Sequence, residues 1–156
     1  MADFNEAFSH ILDSFRVGSG NNFHLPALPA PSSRQRSREC WHGLRNLGFS
    51  HCEIISHIKN LYCQEVWWSI YADKIQHQAL AEAMFSFSLL TDSRQAIFLL
   101  QTVSNYDATG EMSENFIHCV NRQDNQDLLM RFSIAKIVHY GLTLNQQEMP
   151  FSIQVE

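Results

Sequence analysis

Leu61-Tyr-Cys-Gln-Glu-Val-Trp-Trp-Ser-Ile-Tyr-Ala-Asp-Lys-Ile75, then Ala79-Leu-Ala-Glu-Ala-Met-Phe-Ser-Phe-Ser-Leu-Leu90, then Arg94-Gln-Ala-Ile-Phe-Leu-Leu-Gln101, is the stretch whose reading decides the fold. An aromatic cluster of Tyr62, Trp67, Trp68 and Tyr71 precedes two apolar helical patterns. Residues 77–90 are apolar nearly all round, so a helix there must be buried on most sides. Asp92 stands in a cap position with Gln95 three residues on, and Ala96, Ile97, Leu99, Leu100 and Val103 give the next helix one apolar face.

The flanking sequence reads the same way. Phe4, Phe8, Ile11, Leu12 and Phe15 predict a helix over 3–16. A second, over 36–47, turns Cys40, Trp41, Leu44 and Leu47 inward and closes at Gly48. Ser50-His-Cys-Glu53 has the spacing of a capping box, and the helix it starts carries Ile54, Ile55, Ile58, Leu61 and Tyr62 as far as the tryptophans. A break falls at 73–76, and turn residues fill 105–112. Ser113 caps a short helix with Phe116, Ile117 and Val120. Asp124 or Asn125 starts a last one bearing Leu128, Leu129, Phe132, Ile134, Ala135, Ile137, Val138 and Leu142, with Gly141 near its end. Strand signals are nearly absent apart from Ser-Ile-Gln-Val in the tail. The expectation is an all-α fold of about seven helices, packed orthogonally because their lengths are unequal. One domain is expected, with a first helix (1–16), a Pro-rich loop (17–35), a helical core (36–145) and a tail (146–156).

Composition narrows the function classes. The 156 residues are 45% hydrophobic and 17% charged, which describes a globular chain able to bury a core. A net charge of −5 argues against nucleic acid, whose phosphates need a basic surface. The one basic run, Arg34, Arg36 and Arg38, reads as a solvated loop. No apolar window is long enough to span a membrane. The start, Met-Ala-Asp-Phe-Asn-Glu-Ala-Phe, lacks a basic segment followed by an apolar one, so synthesis in the cytoplasm without a secretory signal is expected, and any periplasmic role would need a dedicated delivery system. Cys40, Cys52, Cys63 and Cys119 read as free thiols.

From Tyr62 onward the chain resembles the bacterial and phage N-acetylmuramidases of glycoside hydrolase family 108, with their peptidoglycan-binding C-terminal half. Tyr62 with Val66-Trp67-Trp68 is similar to the family's Tyr-x-x-x-Tyr-Trp signature. Phe85-Ser86-Phe87-Ser88-Leu89-Leu90 falls where the family has Phe-Asp-Phe-x-x-Asn. Gln95-Ala96-Ile97-Phe98-Leu99-Leu100-Gln101 matches its Arg/Lys-Ala-Val-x-x-Leu-Gln, and Asp107-Ala108-Thr109-Gly110 its glycine turn. Leu128–Gly141 looks like its closing helix. The likeness covers about residues 50–142, and the first helix more loosely. It implies a lysozyme-like helical domain acting on peptidoglycan. The departures are all at polar positions. The catalytic Glu-Gly-Gly expected at the end of the first helix is replaced by Ile11-Leu12-Asp13-Ser14-Phe15-Arg16-Val17-Gly18. The Asp-Pro-Gly-Gly loop gives way to the Pro-rich Leu25–Pro31, the family's Asp to Ser86 and its Asn to Leu90.

Glycoside hydrolysis needs a carboxylic acid poised over the leaving oxygen. Asp13 is the carboxylate nearest the expected position, set against the reading of a solvent-facing helix residue. Glu6 and Glu39 are alternatives. Trp67, Trp68 and Tyr71 can stack on sugar rings or meet a partner, although adjacent tryptophans cannot both point fully inward. Cys40, His42, His51, Cys52, His57 and Cys63 lack the paired spacing of a zinc site, so no metal or other cofactor is implied. Nor does a local signature mark a Cys–His nucleophilic pair. Two functions stay open: a catalytically degenerate muramidase-like protein that binds peptidoglycan or a protein partner, in a phage lysis or secretion setting, or an active cell-wall hydrolase with a rearranged acid. The residues leave the oligomeric state open.

Overall fold

The computed structural model describes residues 1–17 and 40–147, and every regular element among them is helical. In order these are α1 (Phe4–Val17), α2 (40–46), α3 (His51–Tyr62), α4 (Gln78–Leu90), α5 (Ser93–Val103), α6 (Glu114–Arg122) and α7 (Asn125–Gln147). A π-helical turn, Cys63–Trp67, continues α3, and a 3-10 turn, Ala72–Lys74, leads toward α4. Glu39, the prolines, the basic run and the β-like tail fall outside the described residues.

Helix α4 is the axis of the core. Leu80, Ala81, Met84, Phe85, Phe87 and Leu89 are all buried. On one side Phe85 meets Phe4 of α1, Tyr62 of α3 and Trp67 of the π turn, with ring centroids 5.7, 6.3 and 5.5 Å away and planes tilted by 71°, 76° and 84°. On the other, Phe87 meets Phe132, His139 and Tyr140 of α7 at 6.1, 5.5 and 5.5 Å. Edge-to-face pairs of this kind add roughly 0.5–1.5 kcal/mol each beyond the area they bury.

Local chemistry sets the helix ends. The Ser50 side chain accepts from the Glu53 N–H, and Glu53 accepts from the Ser50 N–H at 2.8 Å, a reciprocal cap. The Ser50 hydroxyl also donates to Glu53 Oε2 at 2.6 Å, and that bond first, with the Ser50 N–H second, holds the Glu53 carboxyl below its usual range. Asp92, Ser113 and Asp124 accept from the N–H groups of Gln95, Phe116 and Asp127 at 2.7, 3.2 and 2.8 Å. Asp3, which the apolar spacing places inside the first helix, instead caps it by accepting from the Asn5 N–H at 2.6 Å. Helix α2 closes as expected at Gly48. With φ at +86°, its N–H bonds the Arg45 carbonyl while that of Phe49 bonds Leu44. Leu47, expected inward, is 76% exposed, because it lies in this closing turn rather than on the helix face.

Two long-range ties complete the frame. Gln101 is a buried polar residue whose Oε1 accepts from the Gly110 N–H at 2.8 Å and whose Nε2 donates to the Glu111 carbonyl at 2.8 Å. It pins the 105–112 turn to α5. Gly110 needs to be glycine there, since its φ is +74° and a Cβ would stand 2.7 Å from Cγ of Arg94. The second tie joins α1 to α4. Glu82 takes His10 Nδ1 at 2.9 Å on one oxygen and the Gln78 Nε2–H at 2.8 Å on the other, while the Asp3 N–H donates to Gln78 Oε1 at 2.6 Å.

Replacing Gln101 by Leu strands the Gly110 N–H and the Glu111 carbonyl. It should lower stability by about 2–3 kcal/mol, read from the midpoint of urea unfolding. The Glu82 tie should make stability depend on pH. The hydrogen bond to Glu82, and then its charge, raise the His10 pKa above the ordinary value. A raised folded pKa contributes stability that is fully present below the unfolded value of about 6.5 and lost as pH rises through the folded one. The thermal midpoint of His10→Gln should therefore fall furthest behind the parent below the unfolded value of about 6.5 and converge on it as pH rises through the raised folded value. A deficit constant across that range would contradict the assignment.

Candidate functional site

Helix α1 lays Phe4 and Phe8 into the core, with Phe4 at 5.4 Å from Trp67 and Phe8 at 6.3 Å from Tyr62. Its opposite side carries Glu6, His10 and Asp13. Asp13 is exposed, and it lies about 14 Å further along the helix axis than Phe4, from the usual rise per residue.

A carboxylate that does meet α1 is Glu82 of α4, whose side chain keeps 23% of its exposure. It was not among the sequence candidates. Its partner His10 is 72 residues away in the chain, so no local spacing marks the pair. Both oxygens are engaged: Oε2 lies 2.9 Å from His10 Nδ1, and Oε1 accepts from the Gln78 Nε2–H. These contacts tie α1 to α4, whereas a glycosidase acid must be able to aim a proton at a leaving oxygen.

The positions at which the family resemblance expects Asp and Asn are turned to packing. The Ser86 hydroxyl donates to the Ala83 carbonyl of its own helix at 3.1 Å, and Leu90 is half-buried at the end of α4.

The tryptophans divide. The π turn rotates Trp67 into the core, where it is 2% exposed, and leaves Trp68 57% exposed. Tyr71 is half-buried and ends this segment in the left-handed region, with φ at +50°. Lys74 Nζ lies 4.7 Å from the Tyr71 ring centroid and pairs with Glu114, whose hydrogen bond raises the lysine pKa. Ser69, beside Trp68, hydrogen-bonds Ser93 of α5 at 2.7 Å. Tyr71 and Lys74 thus form an aromatic and cationic pair tied to α6, and the Tyr71 N–H bonds the carbonyl of the exposed Trp68 at 3.1 Å.

Two of the histidines of α3 meet rings. His51 lies 5.1 Å from Trp41 and His57 lies 5.8 Å from Phe49. Among the described residues, no three His, Cys, Asp or Glu side chains gather where they could hold a metal ion. Burial pushes the Cys63 thiol above its ordinary pKa, away from the thiolate a nucleophile needs. An open groove of about 580 Å³ runs along α6, lined by Asn115, His118, Cys119, Arg122 and Gln123. In it Gln123 Nε2 reaches both the Cys119 sulfur at 3.5 Å and the Ser104 carbonyl at 3.3 Å. No helix among the described residues is long and apolar enough to cross a membrane.

No family model matches the chain, and no curated protein does. Among solved structures the chain is similar to one titled "Structure of Brucella abortus SagA", with a TM-score of 0.64 and 16% identity, over 88% of this chain and 79% of that one. At that identity the likeness is one of fold, an all-helical arrangement shared along most of both chains.

Proposed function

We propose that this protein is a catalytically degenerate member of a muramidase-like lineage that works by binding, to peptidoglycan or to a protein partner. The observation that carries the proposal is the state of Glu82. It meets α1 from α4, and both its oxygens are engaged, one with His10 and one with Gln78. Asp13, the acid the sequence suggests, is exposed. In this reading the helical frame is kept, while Ser86 and Leu90, where the resemblance expects polar site residues, serve their own helix and the core margin.

The binding edge in this reading is Trp68 with Tyr71 and Lys74. An exposed indole offers a flat apolar face to a sugar ring or to a partner's side chain, and such anchors carry a large share of interface energy. The muramidase resemblance supplies the phage lysis or secretion setting; the fold likeness is compatible with it and does not choose the target.

A second reading keeps hydrolytic activity, with Glu82 rather than Asp13 as the rearranged acid. Its partly shielded place between α1 and α4 favours it over the exposed Glu6 and Asp13.

Co-sedimentation with purified, insoluble peptidoglycan tests the binding proposal. Retention should drop roughly tenfold or more in Trp68→Ala, as expected for loss of an aromatic anchor, with the thermal midpoint unchanged. Asp13→Asn should bind like the parent. Retention that Trp68→Ala and Tyr71→Ala both leave intact would remove this edge from the account. A parent chain that fails to sediment would turn the reading to a protein target.

A further inference from the structure

Helix α7 has two apolar faces. The inner one, with Leu128, Phe132, His139 and Tyr140, packs on Phe87 of α4. On the opposite side Met130, Ile134, Ile137, Val138 and Leu142 are 55–70% exposed. Between residues 130 and 143 the exposed positions are these five, Gly141 and Thr143, and none is charged. The basic residues of the same stretch are drawn to the flanks. Arg131 donates to the Val103 carbonyl at 2.7 Å and pairs with Asp127 at 2.7 Å. Lys136 lies 5.5 Å from the Phe132 ring centroid, and burial pushes its pKa down. This reverses the usual surface helix, in which charges face water and apolar groups do not. The five exposed side chains amount to on the order of 500 Å², within the range of the largest apolar patch on a typical monomer.

We infer that this face joins two copies of the chain, α7 against α7, across a two-fold axis near Ile137. Three observations select a second copy as the occupant. The first is the shape of the face. Met130, Ile134, Val138 and Leu142 form an unbroken ridge at four-residue spacing. The adjacent row, Ile137 and Gly141, falls away at a glycine where a Cβ would meet nothing within 4 Å. The commonest helix crossing, near −50°, interlocks four-spaced ridges from both helices, and two copies of this ridge supply both halves.

The second is charge. Two chains of net charge −5 repel each other, so a self-contact is favoured on a face that carries none. A lipid surface would instead call for a helix rich in Lys and Arg along its polar side, and this stretch carries two such residues, both held on its flanks. The third is area. Counted on both copies, the patch reaches about 1,000 Å², the threshold for a specific interface, before flanking residues are added. This inference rests on α7 alone and is independent of the binding edge at Trp68.

Light scattering on the full chain at micromolar concentration and above should give a mass twice the 18.0 kDa of one chain. Ile137→Glu places like charges beside the two-fold axis and should return the monomer with an unchanged helical spectrum. Ile134→Lys is a second variant at an exposed position, expected to do the same. Under mild oxidation Ile137→Cys should form a disulfide-linked dimer beyond the parent's background, while Met130→Cys, at the end of the stripe, should not link to itself. A parent that stays monomeric throughout overturns the proposal. So does a dimer that survives both charged substitutions, or a monomer that these substitutions release from anionic vesicles.

Discussion

Phe85 is the contact on which the rest of the molecule depends. Three rings from three segments close on it edge to face: Phe4 at the start of α1, Tyr62 at the end of α3, and Trp67 in the π turn. Removing a buried aromatic generally costs about 3–5 kcal/mol, a large part of the stability of a small domain. Here the loss would also free α1 from the core side of α4. Everything proposed about function follows from that anchoring. It sets Trp67 inward and Trp68 outward, and it carries α1 past Glu82 so that His10 can reach it.

Much of this was legible in the chain because it is local. Ser50 with Glu53, Asp92 with Gln95, and Gly48 after α2 act over three or four residues, and each ends its helix as its chemistry dictates. The apolar wrap of 77–90 located the central helix for the same reason. What spacing could not reveal are partnerships across the sequence and choices between equivalent faces. Glu82 reads as a lone charge in an apolar helix until α1 brings His10 to it. Helix α7 is apolar on both sides, and periodicity has no means of saying which side α4 covers. The division of the two tryptophans depends on a single π turn, which shifts the register of side chains by a fraction of a helical turn. The candidate acid was the least legible element, since Asp13 was singled out by position along α1 and not by any partner.

The segments that resemble the muramidase family now have physical roles. Gln101 and the glycine turn, two separate pieces of the pattern, are hydrogen-bonded to each other and hold the loop after α5. Phe85 and Phe87 serve opposite sides of α4. Ser86 and Leu90, where the resemblance expects polar site residues, serve their own helix and the core margin. The frame is kept by packing and by hydrogen bonds between its segments. The uncharged face of α7 extends that picture by adding a second surface built for association.

The most direct measurement is the release of soluble muropeptides from purified peptidoglycan during prolonged incubation with the parent chain and with Glu82→Gln. The account predicts no release above the level of protein-free controls from either. Release by the parent that Glu82→Gln abolishes, with the fold intact, would contradict it and establish Glu82 as a working acid.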